Sequence, residues 1–396
     1  MPDEHALLSA SSAHRWMTCT PSARLEQNIG TEECSVYAEE GTAAHALAEI
    51  ILSHSYFKTT DDEFDEQMKQ WHANSSFEKY YNQEFVEYVH SHVRYVRELT
   101  DALTVPYQIF FEVRVNFSNF VPQGFGTADV LIVTDETLYV VDLKFGKGVP
   151  VSAKNNPQLR LYALGALNLF PNTQNIQMII NQPRIDNRDT ECISKQELLQ
   201  WARDVVIPAA DEAVKGEGTL HPTESACRFC KMRTTCKAHS DMLLGEAQRE
   251  FLIADTRDKF RQLSTDDIGK ILSIASELTN WLNEVKSFAL GQAIAGVKIP
   301  GYKLVESRSK RIITDESVVY DILQKEGFTD EELLEPNRLK SLTALEKLVG
   351  KTALSELCAD YILKQTGALT LAPEEDRRPE VSNYITAASD FAVPIK

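Results

Sequence analysis

Val140-Val141-Asp142-Leu143-Lys144 sets an acidic residue and a lysine two apart inside an apolar run. Side chains alternate along a strand, so Asp142 and Lys144 share one face while Leu143 points to the other. Two charges in such a strand are costly to bury unless they serve each other or a cation. Asp129 closes Gly126-Thr127-Ala128-Asp129 at the edge of a second apolar run, Val130-Leu131-Ile132-Val133. Carboxylates on neighbouring strands can converge on a hard divalent cation, which prefers oxygen ligands. Taken alone, Asp142 and Lys144 fit an ion pair on an exposed sheet face equally well. Gln158 and Tyr162 stand four apart in a helical stretch and project from one side of it. His45 ends Gly41-Thr42-Ala43-Ala44-His45 in a helix otherwise built of alanine and leucine, where a lone histidine is more often a satisfied core residue. Glu112, in Phe110-Phe111-Glu112-Val113-Arg114-Val115, is a weaker candidate for the same chemistry and reads more readily as a solvent-face or sheet-edge residue.

Softer ligands cluster downstream. Cys227, Cys230 and Cys236 form C-x2-C-x5-C, an odd trio among seven cysteines that cannot pair neatly as disulfides. A metal held there needs a fourth ligand, and Cys19, Cys34 and His239 are the candidates, the last giving a zinc-like set. The N-terminal stretch has no basic region followed by an apolar core, so no export signal is expected and a reducing cytoplasm suits the thiols. Arg228, Lys231, Arg233 and Lys237 around the trio can contact phosphates or form a solvated basic loop.

The elements that must position these groups follow from period and punctuation. Residues 36–54 read as a helix and 62–104 as charged, aromatic and helical. Residues 107–115, 126–133 and 137–145 are three β-rich runs with short turns between them. A helix at about 156–169 and a further apolar run at 176–182 follow, then helical character over 195–216 and a cysteine-bearing loop over 219–240. Strands, helix and strand in that order point to an α/β core with helices packed on a mixed sheet. A long helical pattern covers 259–293, Ile299–Thr314 looks like a strand pair, and two short helices precede a Pro- and charge-rich end. At about 150 residues per domain, 396 residues make two or three domains. The expected boundary lies near 243, giving 1–243 and a mainly helical α+β region 244–396.

Lys plus Arg at 41 against Asp plus Glu at 58 leaves a net charge of −17, which argues against wrapping a long duplex through a broad basic face. A local basic groove remains compatible with it. Lys303, Arg308, Lys310 and Arg311 read either as a strand-tracking patch or as an exposed basic hairpin. No apolar run approaches the roughly 18 residues needed to cross a bilayer, so no membrane association is expected.

The ordered set G-x-x-x-H, G-x-x-D, D-x-K, Q-x-x-x-Y resembles the RecB-type nucleases of the PD-(D/E)xK superfamily over about residues 15–240. The nearest likeness is to the iron–sulfur branch, which holds the AddB nuclease domain and the CRISPR-adaptation exonucleases. Ser11-Ser12-Ala13-His14-Arg15-Trp16 and Glu40-Gly41-Thr42-Ala43-Ala44-His45 also resemble a phage-encoded family of this type. The resemblance implies a restriction-endonuclease-like mixed sheet flanked by helices. His45, Asp129 and Asp142 become ligands of Mg²⁺ or Mn²⁺, Leu143 lends its carbonyl, and Lys144 is the catalytic lysine. Gln158 and Tyr162 position DNA and that lysine. Asp142 stands where many relatives carry Glu. Cys19 becomes the fourth ligand, with Cys227, Cys230 and Cys236, of a [4Fe–4S] cluster stapling the domain's start to its end. Zinc is the alternative.

The function so implied is a metal-dependent DNA exonuclease acting on single strands or free ends in phage replication or recombination. The alternative is a non-catalytic end-binding or scaffold subunit retaining the fold. Gly124-Phe125-Gly126 does not continue into a dinucleotide fingerprint, and Lys144–Gly148 lacks the spacing of a phosphate loop. Any unwinding would therefore come from a partner helicase, with a single-strand-binding protein or recombinase as further partners.

Overall fold

The computed structural model describes residues 6–27, 29, 36–252, 265–307, 310–335, 338–365 and 367–381. The chain divides into two units, Met1–Asp258 and Lys259–Lys396. The boundary expected near 243 falls within a helix, Lys237–Leu252.

The first unit opens with α1 (Ala13–Thr18), α2 (Ser22–Gln27), α3 (Val36–Phe57), α4 (Asp61–Ala73), α5 (Ser75–Glu78) and α6 (Gln83–Asp101). Local chemistry sets several of these ends. Thr60 and Glu63 form a reciprocal capping box at α4, and the Asn82 side chain accepts from the Phe85 amide at α6. Phe85, Val89, Val93 and Val96 recur at helical spacing along α6 and are buried.

Three strands follow: β1 (Gln108–Asn116), β2 (Phe125–Val133) and β3 (Thr137–Leu143). Helix α7 (Pro157–Leu169) then leads to β4 (Asn175–Gln182) and β5 (Asn187–Ser194). The sheet order is β1-β2-β3-β4-β5, antiparallel except where β4 runs parallel to β3 after the α7 crossover. Edge strand β5 has no counterpart in the sequence reading. Its residues, Asn-Arg-Asp-Thr-Glu-Cys-Ile-Ser, are too polar to signal a strand, yet they alternate between exposed and half-buried.

Helices cover both faces. Leu131, Val140, Met178 and Ile180 pack in one cluster with Trp16 of α1 and Leu159 and Leu164 of α7. Val130, Ile132, Val141 and Ile179 pack in another with Leu52 of α3 and Val93 and Val96 of α6. Every residue of α7 from Leu159 to Leu167 is buried. Gly165 permits that depth, since a Cβ there would stand 2.8 Å from Val115 Cβ. The unit continues with α8 (Lys195–Trp201), a π-helical turn over Ala202–Val206, α9 (Ile207–Lys215), α10 (Glu224–Cys227) and α11 (Lys237–Leu252).

In the second unit, α12 (Thr265–Ile294) carries most of the long helix expected over 259–293, while residues 259–264 lie outside the described set. Then come β6 (Tyr302–Glu306), β7 (Lys310–Ile313), α13 (Glu316–Lys325), α14 (Asp330–Leu333), β8 (Leu334–Glu335) and β9 (Arg338–Leu339). Helices α15 (Leu342–Val349) and α16 (Lys351–Leu357) and strands β10 (Ile362–Gln365) and β11 (Leu369–Pro373) complete it. The strand pair expected within Ile299–Thr314 does not form. Instead β6 pairs with β11 and β7 with β10, partners far along the chain that local pattern does not reveal. Val319, Leu323, Leu345, Leu354 and Cys358 form this unit's core. Among the described residues, no helix is long and apolar enough to cross a membrane.

Candidate functional site

The β2–β3 ladder pairs Val133 with Leu138 through to Val130 with Val141 and goes no further. Beyond that pair β3 keeps its ladder with β4, through Leu143–Asn181. The two strands therefore fork at Asp129 and Asp142. The Leu143 amide, freed from the ladder, donates to Asp129 Oδ2 at 2.7 Å.

Alternation reverses at this fork. In β1, Ile109 and Phe111 pack on the α3–α6 side, whereas Val113 and Val115 pack on the α7 side. Glu112, between them, has φ of +46°, a left-handed conformation uncommon for a residue with a Cβ. Its partner strand shows the same reversal: Ala128 packs on the α7 side, Val130 on the α3–α6 side and Leu131 on the α7 side again. Glu112 and Asp129 thus both meet His45 of α3. His45 Nδ1 lies 3.3 Å from Asp129 Oδ2 and 3.8 Å from Glu112 Oε1. One donor atom from each of the three falls within 4.8 Å of the others. Burial works against a charged imidazole, but the carboxylates of Asp129 and Glu112 lift the His45 pKa well above its ordinary value. Burial likewise opposes ionisation of Asp129, yet His45, Lys144 and the Leu143 amide bring it below the usual carboxylate value.

A second arm runs from the other branch of the fork. Asp142 Oδ2 lies 2.9 Å from Lys144 Nζ. The ammonium donates to Gln158 Oε1 at 2.8 Å, and Gln158 Nε2 donates to the Tyr162 hydroxyl at 2.9 Å. Asp142 is 1% exposed, which excludes an ion pair on an open sheet face. Burial pushes its pKa up to about 6, with Lys144 restraining the rise. Lys144 itself is raised, because Asp142 and Asp129 outweigh the burial that favours its neutral form. The Tyr162 phenol is driven upward by burial and by the same two carboxylates.

Helix α7 holds this arm in place. Asn156 caps it by accepting from the Gln158 and Leu159 amides. Arg160 grips Glu191 of β5 through Nη2 at 2.9 Å and Nε at 3.2 Å, and Asn155 at 2.8 Å. Tyr162 lies against Gly126, where a Cβ would come within 2.7 Å of the ring. The glycine of Gly126-Thr-Ala-Asp129 therefore makes room for the tyrosine of the next helix. Behind the His45 side, His92 of α6 is fully buried and accepts from Asn181 Nδ2 at Nδ1 across 2.9 Å. Burial lowers its pKa to about 4, so it stays neutral.

The cysteines form a separate centre. Cys19 follows α1, Cys227 ends α10, and Cys230 and Cys236 lie between there and α11. All four line one pocket together with Arg15 and Arg233. Arg15 bridges Glu26 at 2.7 Å and donates to the Phe229 carbonyl at 3.0 Å, while the Lys231 amide donates to Glu26 at 2.8 Å. These contacts bind residues 15–26 to the cysteine loop. Burial raises the Cys19 and Cys227 thiols, and that of Cys230 to about 12. His239 is buried, its Nδ1 3.1 Å from the Arg233 carbonyl, and does not line the pocket. Cys34 lies outside the described residues.

A family described as a protein of unknown function, DUF2800, matches residues 5–379. The chain belongs to this family. Among solved structures, a Eubacterium rectale protein provisionally described as an exonuclease is 10% identical, with a TM-score of 0.33, over 59% of this chain and 86% of its own. A protein designated SSO0001 is 15% identical, with a TM-score of 0.23, over 57% of this chain and 96% of its own.

In this DUF2800 chain, the residues singled out from the sequence fall into three places. His45 and Asp129 meet on one side of the fork; Asp142, Lys144, Gln158 and Tyr162 line the other. Cys19, Cys227, Cys230 and Cys236 share their own pocket. Leu143 contributes a backbone amide to Asp129. Glu112, the weaker candidate, lies on edge strand β1 and yet stands in the site, where the reversed alternation puts it. The basic residues of the second unit are partly engaged: Lys303 donates to the Asp376 carbonyl at 2.6 Å, and Arg311 pairs with Glu346. Arg308 and the Lys310 side chain lie outside the described set.

Proposed function

We propose that the chain is a metal-dependent DNA exonuclease that hydrolyses phosphodiester bonds at single-stranded DNA or free ends. The observation that carries this reading is the unbroken run of contacts across the fork, from the His45–Asp129 pair through the Leu143 amide to Asp142, Lys144, Gln158 and Tyr162. The donor set on the His45 side, an imidazole and carboxylate oxygens, suits Mg²⁺ or Mn²⁺. A divalent cation held there polarises a phosphate oxygen and lowers the pKa of a bound water.

The chain's own residues supply the rest. Water attacks phosphorus, the P–O bond to the leaving sugar breaks, and the leaving oxygen takes up a proton. Lys144, kept protonated by two carboxylates, faces the fork and stabilises negative charge gathering on the phosphoryl oxygens. Gln158 holds the ammonium in place, and Tyr162 holds Gln158. A half-buried lysine beside the buried Asp142 is costly to keep without such a task, which favours an active enzyme over a binding subunit.

The four cysteines fit a [4Fe–4S] cluster as a structural staple. Zinc on the same four sulfurs is the alternative, and the absorbance of anaerobically purified protein separates the two, since Zn²⁺ has no redox or visible chemistry of its own.

Linear and circular single-stranded DNA, incubated with Mn²⁺ or with EDTA, test the reading. Linear DNA is expected to be degraded with Mn²⁺, circular DNA spared, and both left intact by Asp142→Ala. Equal cleavage of circles would replace the exonuclease with an endonuclease. Cleavage that persists in EDTA or in Asp142→Ala would overturn the metal-dependent chemistry.

A further inference from the structure

We propose that Glu112 is a protein ligand of the divalent cation, completing with His45 and Asp129 a three-sided binding position on the α3 side of the fork. This rests on the nuclease reading and sharpens it, because the cation then sits on a set that the D-x-K pattern does not contain. The donor atoms of His45, Glu112 and Asp129 already lie within 4.8 Å of one another. Asp142 stands on the other branch of the fork, outside that set, with its Oδ2 2.9 Å from Lys144 Nζ. The two strands pay for this arrangement in geometry. Glu112 takes a positive φ inside a strand, and β1 and β2 both reverse their alternation at the same level. A residue with a Cβ holds such a conformation only when its surroundings impose it. Here its result is to turn a carboxylate from the α7 side, where regular alternation would send it, towards the imidazole of His45.

Glu112 shares a small pocket with Glu49, one turn beyond His45 on α3, but Glu49 is the more exposed and stands outside the set of donor atoms within 4.8 Å of one another. It also gives Asp142 and Lys144 a distinct task. Their side of the fork orients the attacking water and the phosphate, while the His45 side binds the cation.

The test measures Mn²⁺ uptake by the full chain through loss of the free-ion electron paramagnetic resonance signal, alongside cleavage of linear DNA. Wild type is compared with Glu112→Gln, Glu112→Gly and Lys144→Ala. Glu112→Gln is expected to weaken Mn²⁺ binding about tenfold or more and to depress cleavage in step. Glu112→Gly keeps the positive φ accessible without a carboxylate, so its loss of affinity cannot be ascribed to a disturbed backbone. Lys144→Ala is expected to bind Mn²⁺ as wild type does while failing to cleave. Affinity within twofold of wild type in either Glu112 variant would overturn the ligand role of Glu112 alone. A wild-type protein that takes up no Mn²⁺ would overturn the nuclease reading, and this inference with it.

Discussion

The fork between β2 and β3 and the cysteine pocket both gather reactive side chains, but they are built by opposite means. At the fork, two neighbouring strands and the helix that follows them bring polar and charged groups together within a short stretch of chain, where a buried Asp142 and half-buried Asp129, Lys144 and Gln158 partly compensate one another. The pocket gathers four thiols, that of Cys227 buried and the others half-buried, from residues near the start of the unit and near its end, tied by Arg15 and Glu26. Chemistry is therefore concentrated where local geometry is strained and charge is high. Architecture is concentrated where distant parts of the chain meet. Substitutions at the two centres should separate along that line, with the fork governing rate and the pocket governing stability.

The largest effect belongs to the fork. Lys144→Ala should lower cleavage by about 10²- to 10³-fold, the usual cost of removing one donor to a developing negative charge, with the melting temperature unchanged within a few degrees. A comparable fall in stability would erase the contrast. Cys19→Ser attacks the other centre and, on the proposed cluster, frees the N-terminal end of a very long closed loop. Loop-closure entropy for such a span is about 5 kcal/mol, so melting should fall on the order of 10 °C. Broad absorbance at about 400 nm should weaken as well. Unchanged melting in a preparation that retains its iron would show that Cys19 is no part of the staple.

Gly126→Ala probes the fork without touching a charge. The added Cβ must displace the Tyr162 ring that would stand 2.7 Å away. Cleavage should drop about tenfold through the loosened Gln158–Lys144 chain, while Mn²⁺ affinity holds. Equal activity would mean that Tyr162 does not position the lysine.

The smallest effect concerns His92, whose pKa falls from 6.5 unfolded to about 4 when buried. Between those values the unfolded chain binds a proton that the native protein does not. The contribution of His92 is thus complete above pH 6.5 and lost as pH falls towards 4, at up to about 1.4 kcal/mol per pH unit. Metal-free wild type should lose its stability advantage over His92→Gln across that window. Parallel stability curves would show that His92 is not held neutral.

Much of the fork was legible in the sequence because its residues obey regular periods. Asp142 and Lys144 share a strand face, and Gln158 and Tyr162 share a helix face, as spacings of two and four require. Glu112 ranked as a weaker candidate because its positive φ breaks the alternation by which strand side chains are assigned to a face. Strand β5 escaped because it is a polar edge strand, and its Glu191 nonetheless anchors Arg160 of α7. In the second unit, β6 and β7 were visible as strands but their partners were not, since pairing with β11 and β10 is a long-range choice that no local turn announces.

The contrast between the centres rests on whether the fork cleaves DNA at all. The most direct measurement is cleavage of end-labelled single- and double-stranded DNA with Mn²⁺, Mg²⁺ or EDTA, wild type beside Lys144→Ala. The expected result is metal-dependent shortening by wild type that is absent in EDTA and abolished in the variant, with the labelled end giving the polarity. Cleavage by Lys144→Ala at the wild-type rate, or none by metal- and cluster-loaded wild type, would contradict it.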